Sequence, residues 1–137
     1  MSLSDAQREH VVKVRLANGG QMLLDASNML AGGSLRSAAN RSYYAVFYAA
    51  SALAMRDGHT FRRHRGVISY FHEAYIKTGR LPKELGGIFQ RAFNSRCDAD
   101  YDDLVELVTD DVAEMLEQAR RFVAEVKSLL QATDYPP

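Results

Sequence analysis

The sequence predicts an all-α protein, an antiparallel up-and-down bundle of about five helices. Apolar residues recur at helical spacing along most of the 137-residue chain. Only three prolines occur, and two of them are the last residues, so little interrupts a helix. No stretch of convincing length alternates apolar and polar residues as a half-buried strand would. The length suits one domain, residues 1–137, with a core of its own.

Two helices are predicted in the first half of the chain. The first runs from about Ser4 to Ala31, with a potential interruption at "ANGGQ", and Gly32-Gly33 ends it because glycine adopts positive φ at low cost. The second runs from about Ser34 to Arg56 and is closed by Asp57-Gly58. Its segment "YYAVFYAASALAM" is apolar or small nearly all round, so we expect this helix to be the central, most buried one.

Three more helices are predicted after a basic connection, "FRRHRG". The third is "VISYFHEAYIKTG", and Pro82 is expected in the first turn of the fourth, where its missing N–H needs no partner. Gly86 and Gly87 in the fourth helix predict close approach by another helix. The fifth spans about Thr109 to Gln131, and residues 132–137 are expected to fray. Its apolar stripe comprises Val112, Leu116, Ala119, Val123, Val126 and Leu130.

The composition points to a cytoplasmic protein without a metal or other cofactor. The single cysteine cannot form an internal disulfide, and no Cys/His cluster has zinc spacing. No apolar run is long enough to span a membrane, and the N-terminus lacks the pattern of an export signal. Residues 1–67 hold nine Lys/Arg against four Asp/Glu, and residues 68–137 hold eight against thirteen. We therefore expect the two halves to pack together and neutralise each other.

The predicted central helix carries an arginine and tyrosines on one face. Tyr44 and Tyr48 follow Arg41 at helical spacing, and buried tyrosine hydroxyls need hydrogen-bond partners. An arginine in that position needs a carboxylate, which the segment "DADYDD" can supply. Arg41 then either ties the second helix to the end of the fourth or, with Tyr44, lines a phosphate-binding pocket.

The segment "RDGHTFRRHRG" concentrates arginines around two histidines. Arg62, Arg63 and Arg65 present planar forks of donors that suit phosphate. A solvated, solubilising loop explains the same composition, and contact with nucleic acid is the alternative.

The stretch "FNSRCDADYDD" combines Arg96, the only cysteine, four aspartates and Tyr101 where the fourth helix ends. Paired carboxylates such as Asp98 and Asp100 can act as general acid and base or hold Mg²⁺. A polar turn with caps for the next helix is the more common use of such a cluster. Cys97 is interpreted as a small packed residue.

Three segments together resemble the HEPN superfamily of small bacterial and archaeal proteins. They are "LRSAANRSYYAVFYAASALAM", "HRGVISYFHEAYIKTGRLPKELG" and "RAFNSRCDADY", in the family's order and spacing over residues 34–101. The resemblance implies a helical bundle that forms a homodimer with its functional cleft between protomers. Many members are encoded beside a minimal nucleotidyltransferase, and several such pairs are toxin–antitoxin modules.

Active toxins of this superfamily are metal-independent ribonucleases, and their motif maps onto the end of the fourth helix. Arg96 matches the motif arginine, which stabilises charge at the phosphorus. Tyr101 stands where the family has the histidine that assists attack of the RNA 2′-hydroxyl. A phenol with a pKa near 10 is about one part in a thousand ionised at pH 7, so it is a poor general base. His64 is the nearest substitute, and Tyr101 is alternatively an acceptor of AMP or a packed residue.

The sequence therefore predicts a HEPN protein that acts with a minimal nucleotidyltransferase in a toxin–antitoxin or stress-response pair. Its contact with nucleotide or RNA would come with weak or no catalysis. Arg96, Tyr101 and His64 are the candidate catalytic residues, and Arg41 and Asp100 are expected to converge with them near the dimer cleft. The alternatives are an active ribonuclease that uses Arg96 with Tyr101 or His64, and a dimerisation adaptor without a nucleotide role.

Overall fold

The computed structural model describes residues 3–101 and 106–132, without the side chains of residues 97–101. Within these residues every regular element is helical, as predicted. The helices are α1 (Asp5–Ala31), α2 (Leu35–Arg56), α3 (His64–Phe71), which continues as a π-helical segment (His72–Ile76), α4 (Glu84–Tyr101) and α5 (Thr109–Gln131). In the part of the chain described, no helix is long and apolar enough to cross a membrane.

Helix α2 lies at the centre of the bundle and packs against α1, α3, α4 and α5. Its alanine-rich segment is buried on almost every side, which confirms the prediction from its composition. Because α1 and α2 pack against α5, and α2 also packs against α4, the basic first half of the chain lies against the acidic second half. The largest side chains of the core are Tyr43, Phe71, Tyr75, Phe89 and Phe122.

Helix α1 is continuous through "ANGGQ", where the sequence suggests a potential break. Gly19 is buried against α2, and a Cβ there would lie 3.3 Å from the carbonyl oxygen of Ala45. The missing side chain thus permits close packing of α1 on α2 and does not interrupt the helix. The helix begins with a capping box, in which Ser4 Oγ accepts from the Gln7 amide and Gln7 Oε1 from the Ser4 amide.

Glycines end α1 and α2 as predicted. Gly33 and Gly58 have φ of 81° and 86°, the left-handed region in which residues with a Cβ are strained. Gly86 also fulfils its prediction, because a Cβ there would lie 2.8 Å from His72 Cε1 on the π-helical segment. A Cβ at Gly87 would instead meet the Arg91 side chain of the same helix.

Two predicted boundaries are wrong. His64 and Arg65 belong to the first turn of α3 and not to a connection, because Arg63 is the extended residue before the helix and the His64 ring packs on α2. Pro82 lies two residues before α4 begins at Glu84. A short turn intervenes, in which the amide of Leu85 donates to the carbonyl of Pro82 at 3.1 Å.

Candidate functional site

Two of the candidate residues, Arg96 of α4 and His64 of α3, meet at a group of aromatic side chains on α2. We call Arg96, His64, Tyr43, Tyr44 and Phe47 the arginine–histidine cluster. Tyr43 and Phe47 are one turn apart on α2, and so are Tyr44 and Tyr48, so these rings form adjacent rows on the helix surface. The cluster therefore joins α2, α3 and α4 at one place.

His64 is held by α2 on two sides. Its Nδ1 lies 2.7 Å from the hydroxyl oxygen of Tyr43. Its ring stacks on Phe47, with 4.2 Å between centroids and 27° between planes. The side chain is half-buried. Both contacts fix the ring orientation, and the Tyr43 hydroxyl donates to Nδ1 in one tautomer of the neutral ring and accepts from it in the other.

Arg96 lies over the rings of Tyr43 and Tyr44. Its Nη2 donates to the Tyr44 hydroxyl at 3.3 Å, and its guanidinium carbon is 5.5 Å from the centroids of both the Tyr43 and Tyr44 rings. These are distances at which an aromatic face attracts a cation. Arg96 is half-buried, so its contacts are screened less by water than those of an exposed arginine.

The two basic groups act on each other electrostatically. Burial lowers the pKa of His64 from its usual value, and the positive charge of Arg96 lowers it further. At neutral pH the cluster consequently combines a permanent cation with a neutral imidazole. Such an imidazole can accept a proton or donate a hydrogen bond, according to its tautomer.

Arg65 lies next to this cluster. Its guanidinium carbon is 6.0 Å from the centroid of the Phe93 ring, which in turn packs 5.9 Å from the Tyr43 ring. Together with Gln90 and Asn94, Arg65 and Phe93 line a pocket of about 300 Å³ between α3 and α4. A cationic pocket thus borders the arginine–histidine cluster.

Three further candidates, Arg41, Arg62 and Arg63, lie outside the arginine–histidine cluster. Arg41, one turn before Tyr44, is half-buried and lines a pocket of about 230 Å³ with Arg36, Ser37 and Asn40. Arg62 and Arg63 are exposed on the loop between α2 and α3.

The candidates at the end of α4 lie outside the described side chains. The backbone of Asp98, Asp100 and Tyr101 is helical, so the acidic stretch continues α4 up to Tyr101. The expected convergence of Asp100 and Tyr101 with Arg41 therefore stays a prediction, as does the packing of Cys97. Among residues with described side chains, no group of three His, Cys, Asp or Glu is placed to hold a metal ion.

Sequence reasoning missed Tyr43 and Phe47. The predicted face of α2 was Arg41, Tyr44 and Tyr48, whereas the histidine contacts lie on the adjacent row. The spacing of Tyr43 and Phe47 is the signal that was available, because a tyrosine hydroxyl buried one turn from an aromatic ring needs a polar partner. Their specific partner depends on how α3 packs on α2, which no local pattern encodes.

Comparison with known proteins agrees with the resemblance to the HEPN superfamily. The sequence matches the HEPN domain family over residues 12–129. A UPF0332 protein of Thermotoga maritima is 34% identical over 125 residues, which cover 91% of this chain and 95% of that protein. A Methanocaldococcus jannaschii protein named "Putative toxin MJ0142" is 32% identical over 93 residues, 68% of this chain and 63% of that protein. This chain belongs to the HEPN family.

Proposed function

We propose that this HEPN protein contacts an RNA phosphate through the arginine–histidine cluster, as a component of a toxin–antitoxin or stress-response pair. The observation that carries the proposal is that Arg96 and His64 contact the same pair of tyrosines, Tyr43 and Tyr44. A guanidinium offers a planar fork of donors to phosphate oxygens, and an imidazole N–H can add another. The "Putative toxin" name of relatives supports the biological setting.

The chemistry of the cluster favours an anion over other small ligands. Arg96 stays charged at all physiological pH values, and the aromatic faces around it reduce its exposure to water. Arg65 on the bordering pocket, and Arg62 and Arg63 on the preceding loop, extend the basic surface along α3. A polyanion that passes the cluster therefore meets several arginines in succession.

Partners form the second part of the proposal. The protein acts as a homodimer with a minimal nucleotidyltransferase, which transfers AMP from ATP to the Tyr101 hydroxyl and releases pyrophosphate. Support comes from family membership and from the arginine-to-tyrosine spacing at the end of α4. Coexpression with a minimal nucleotidyltransferase, followed by intact-mass measurement, should show a gain of one AMP. Tyr101→Phe should abolish that gain.

The RNA contact is tested by fluorescence anisotropy with a labelled single-stranded RNA at low salt. Arg96→Ala should weaken binding by at least about tenfold, because a hydrogen bond to a charged group contributes roughly 1.5–3 kcal/mol. Arg121→Ala, which removes an exposed arginine of α5, is the matched control and should bind like the wild type. Equal affinity of folded Arg96→Ala and wild type would contradict the proposal.

A second function is favoured by the position of half-buried His64 on the same tyrosines as Arg96, where burial and the charge of Arg96 lower the pKa of His64. A histidine that is neutral at pH 7 can remove the proton from an RNA 2′-hydroxyl. The 2′-oxygen then forms a bond to the adjacent phosphorus, the bond to the 5′-oxygen breaks, and Arg96 stabilises the negative charge. The leaving 5′-oxygen takes up a proton. In this candidate function the protein is itself a metal-independent ribonuclease, with His64 in the role of the motif histidine.

Cleavage of labelled RNA and tRNA in the presence of EDTA separates the two functions. A ribonuclease should lose activity in both Arg96→Ala and His64→Ala and keep it in His10→Ala, which changes an exposed histidine of α1. Binding without cleavage by the wild type supports the contact function alone. Basic surfaces bind nucleic acid most strongly at low salt. If the wild type neither binds nor cleaves RNA there, the result supports the alternative that the protein is a dimerisation adaptor.

A further inference from the structure

We propose that His59, Phe61 and Tyr70 form a stacking surface for the bases of single-stranded RNA, next to the phosphate contact. We call these three side chains the aromatic ledge. This inference rests on the proposed RNA contact and adds to it the part of the RNA that the protein recognises. The ledge belongs to the loop between α2 and α3 and to the exposed side of α3.

The three rings lie against one another. The His59 and Tyr70 centroids are 4.7 Å apart, Phe61 and Tyr70 are 5.6 Å apart, and His59 and Phe61 are stacked at 6.4 Å with 20° between their planes. His59 is exposed, and Phe61 keeps 40% of its surface in contact with solvent. The Tyr70 ring is tilted by 43° and 40° to the His59 and Phe61 rings, and the exposed phenylalanine offers an apolar face on which a further ring can stack.

The ledge is held in place before any ligand arrives. The Tyr70 hydroxyl donates to Asp57 Oδ2 at 2.6 Å, which fixes that ring. Phe61 packs over Gly66, where a Cβ would lie only 2.8 Å from Phe61 Cδ1. The amide of His59 donates to the carbonyl of Ala54 at 2.8 Å and so caps the end of α2. A surface ordered in this way loses little conformational entropy on binding.

Charge and position identify nucleic acid as the occupant. Arg62 and Arg63 directly follow Phe61 and are exposed, so the rings are accompanied by cations that suit a phosphate backbone. His64 comes next, only three residues after Phe61, which limits the separation of their Cα atoms to about 11 Å. A short strand with a phosphate at the arginine–histidine cluster can therefore reach the ledge with a neighbouring base. Aromatic rings beside arginines are the usual composition of single-strand binding surfaces.

The test compares two labelled RNA strands of about 12 nucleotides, within the usual size of such sites. One strand carries bases, and the other is abasic with the same number of phosphates. Fluorescence anisotropy at low salt should show that the wild type binds the base-bearing strand at least about fivefold more tightly, as expected from stacking of one base. Equal affinity of the wild type for the two strands would contradict base stacking on the aromatic ledge, and this result requires no variant protein.

Variants then test whether Phe61 is responsible for the preference for the base-bearing strand. Phe61→Leu keeps an apolar contact with Gly66 but removes the ring, so it should bring the base-bearing strand to the affinity of the abasic one. Phe61→Trp should retain the difference, and Leu24→Ala, which removes a 62%-exposed side chain on α1, should not change it. A Phe61→Leu protein that still prefers the base-bearing strand as the wild type does would also overturn the ledge.

The two proposals fail in distinguishable ways. If the wild type binds both strands equally and Arg96→Ala weakens both, the phosphate contact stands and the ledge is wrong. If the wild type binds neither strand, the proposed RNA contact is wrong and the ledge fails with it.

Discussion

Two clusters of tyrosines, one at the start of α3 and the other from its last turn into the π-helical segment, differ in the group that meets their hydroxyls. In the arginine–histidine cluster, Tyr43 meets an imidazole and Tyr44 meets a guanidinium. In the second, which we call the aspartate cluster, the hydroxyls of Tyr70 and Tyr75 both donate to one oxygen of Asp57, and the Arg80 guanidinium lies 4.7 Å from the Tyr75 ring centroid.

The difference separates the structural role of the aspartate cluster from the function proposed for the arginine–histidine cluster. A carboxylate that accepts from two tyrosines at the end of α2 fixes the position of the following loop. In the arginine–histidine cluster, burial lowers the pKa of His64, and the positive charge of Arg96 nearby lowers it further. Arrangements of this kind cost stability and are typical of functional sites, whereas the aspartate cluster stabilises the fold.

The largest expected effect is on the aspartate cluster. Asp57→Ala leaves the hydroxyls of Tyr70 and buried Tyr75 without this acceptor, at a cost of about 3 kcal/mol in the free energy of unfolding. Urea denaturation monitored by circular dichroism measures the change. Asp25→Ala is the control, because it removes an acceptor for the Gln21 side chain on the surface of α1, and it should change stability little. A loss as small as that of the control would show that the aspartate does not hold the loop.

A smaller effect is expected from the protonation of His64. Its pKa in the folded protein is lowered below the unfolded value of about 6.5, so the unfolded state binds more protons in the interval between them. The stability contributed by neutral His64 is present above pH 6.5 and is lost as the pH falls through the folded pKa. His64→Gln should therefore flatten the acid side of the profile of unfolding free energy against pH.

The matched control for that profile is His10→Gln, which changes an exposed residue of α1. Its stability should fall toward acid pH as steeply as that of the wild type. A His64→Gln profile that is superimposable on the wild-type and His10→Gln profiles would contradict the lowering of the His64 pKa by burial and by the charge of Arg96.

The smallest effect is expected from Tyr44→Phe. This change removes one hydroxyl that accepts from Arg96 and keeps the ring beneath the guanidinium, so we expect a loss of about 0.5–1.5 kcal/mol in unfolding free energy. Tyr48→Phe on the same row is the control for the loss of a hydroxyl. A Tyr44→Phe change no larger than that of Tyr48→Phe would show that the hydroxyl does not contribute to holding Arg96.

The two clusters also show what can be predicted from sequence. Local patterns predicted the bounds of α5, the burial of α2 and the glycine ends at Gly33 and Gly58, because each depends on neighbouring residues alone. The start of α3 at His64 was missed because the His64 ring is part of a contact with Phe47 on another helix. The π-helical segment was missed too, and its first residue, His72, packs against Gly86 of α4, a contact that no local pattern encodes.

The candidate site was predicted only in part, because its contacts join different helices. The family motif points to Arg96, and its missing histidine pointed to His64 as the substitute. Tyr43 has no motif of its own, and its role follows from the 2.7 Å contact that packing of α3 on α2 creates. Asp57 likewise marks the end of α2 in the sequence, but only the tertiary structure brings Tyr75 to it.

An NMR titration of the His64 ring protons directly tests the proposal that Arg96 and His64 bind one phosphate. Addition of an RNA dinucleotide should raise the pKa of His64, because a nearby negative charge favours the imidazolium. The rise should disappear in Arg96→Ala and persist in Arg121→Ala. A His64 pKa that does not change at saturating dinucleotide, or that rises equally in Arg96→Ala, would contradict the account.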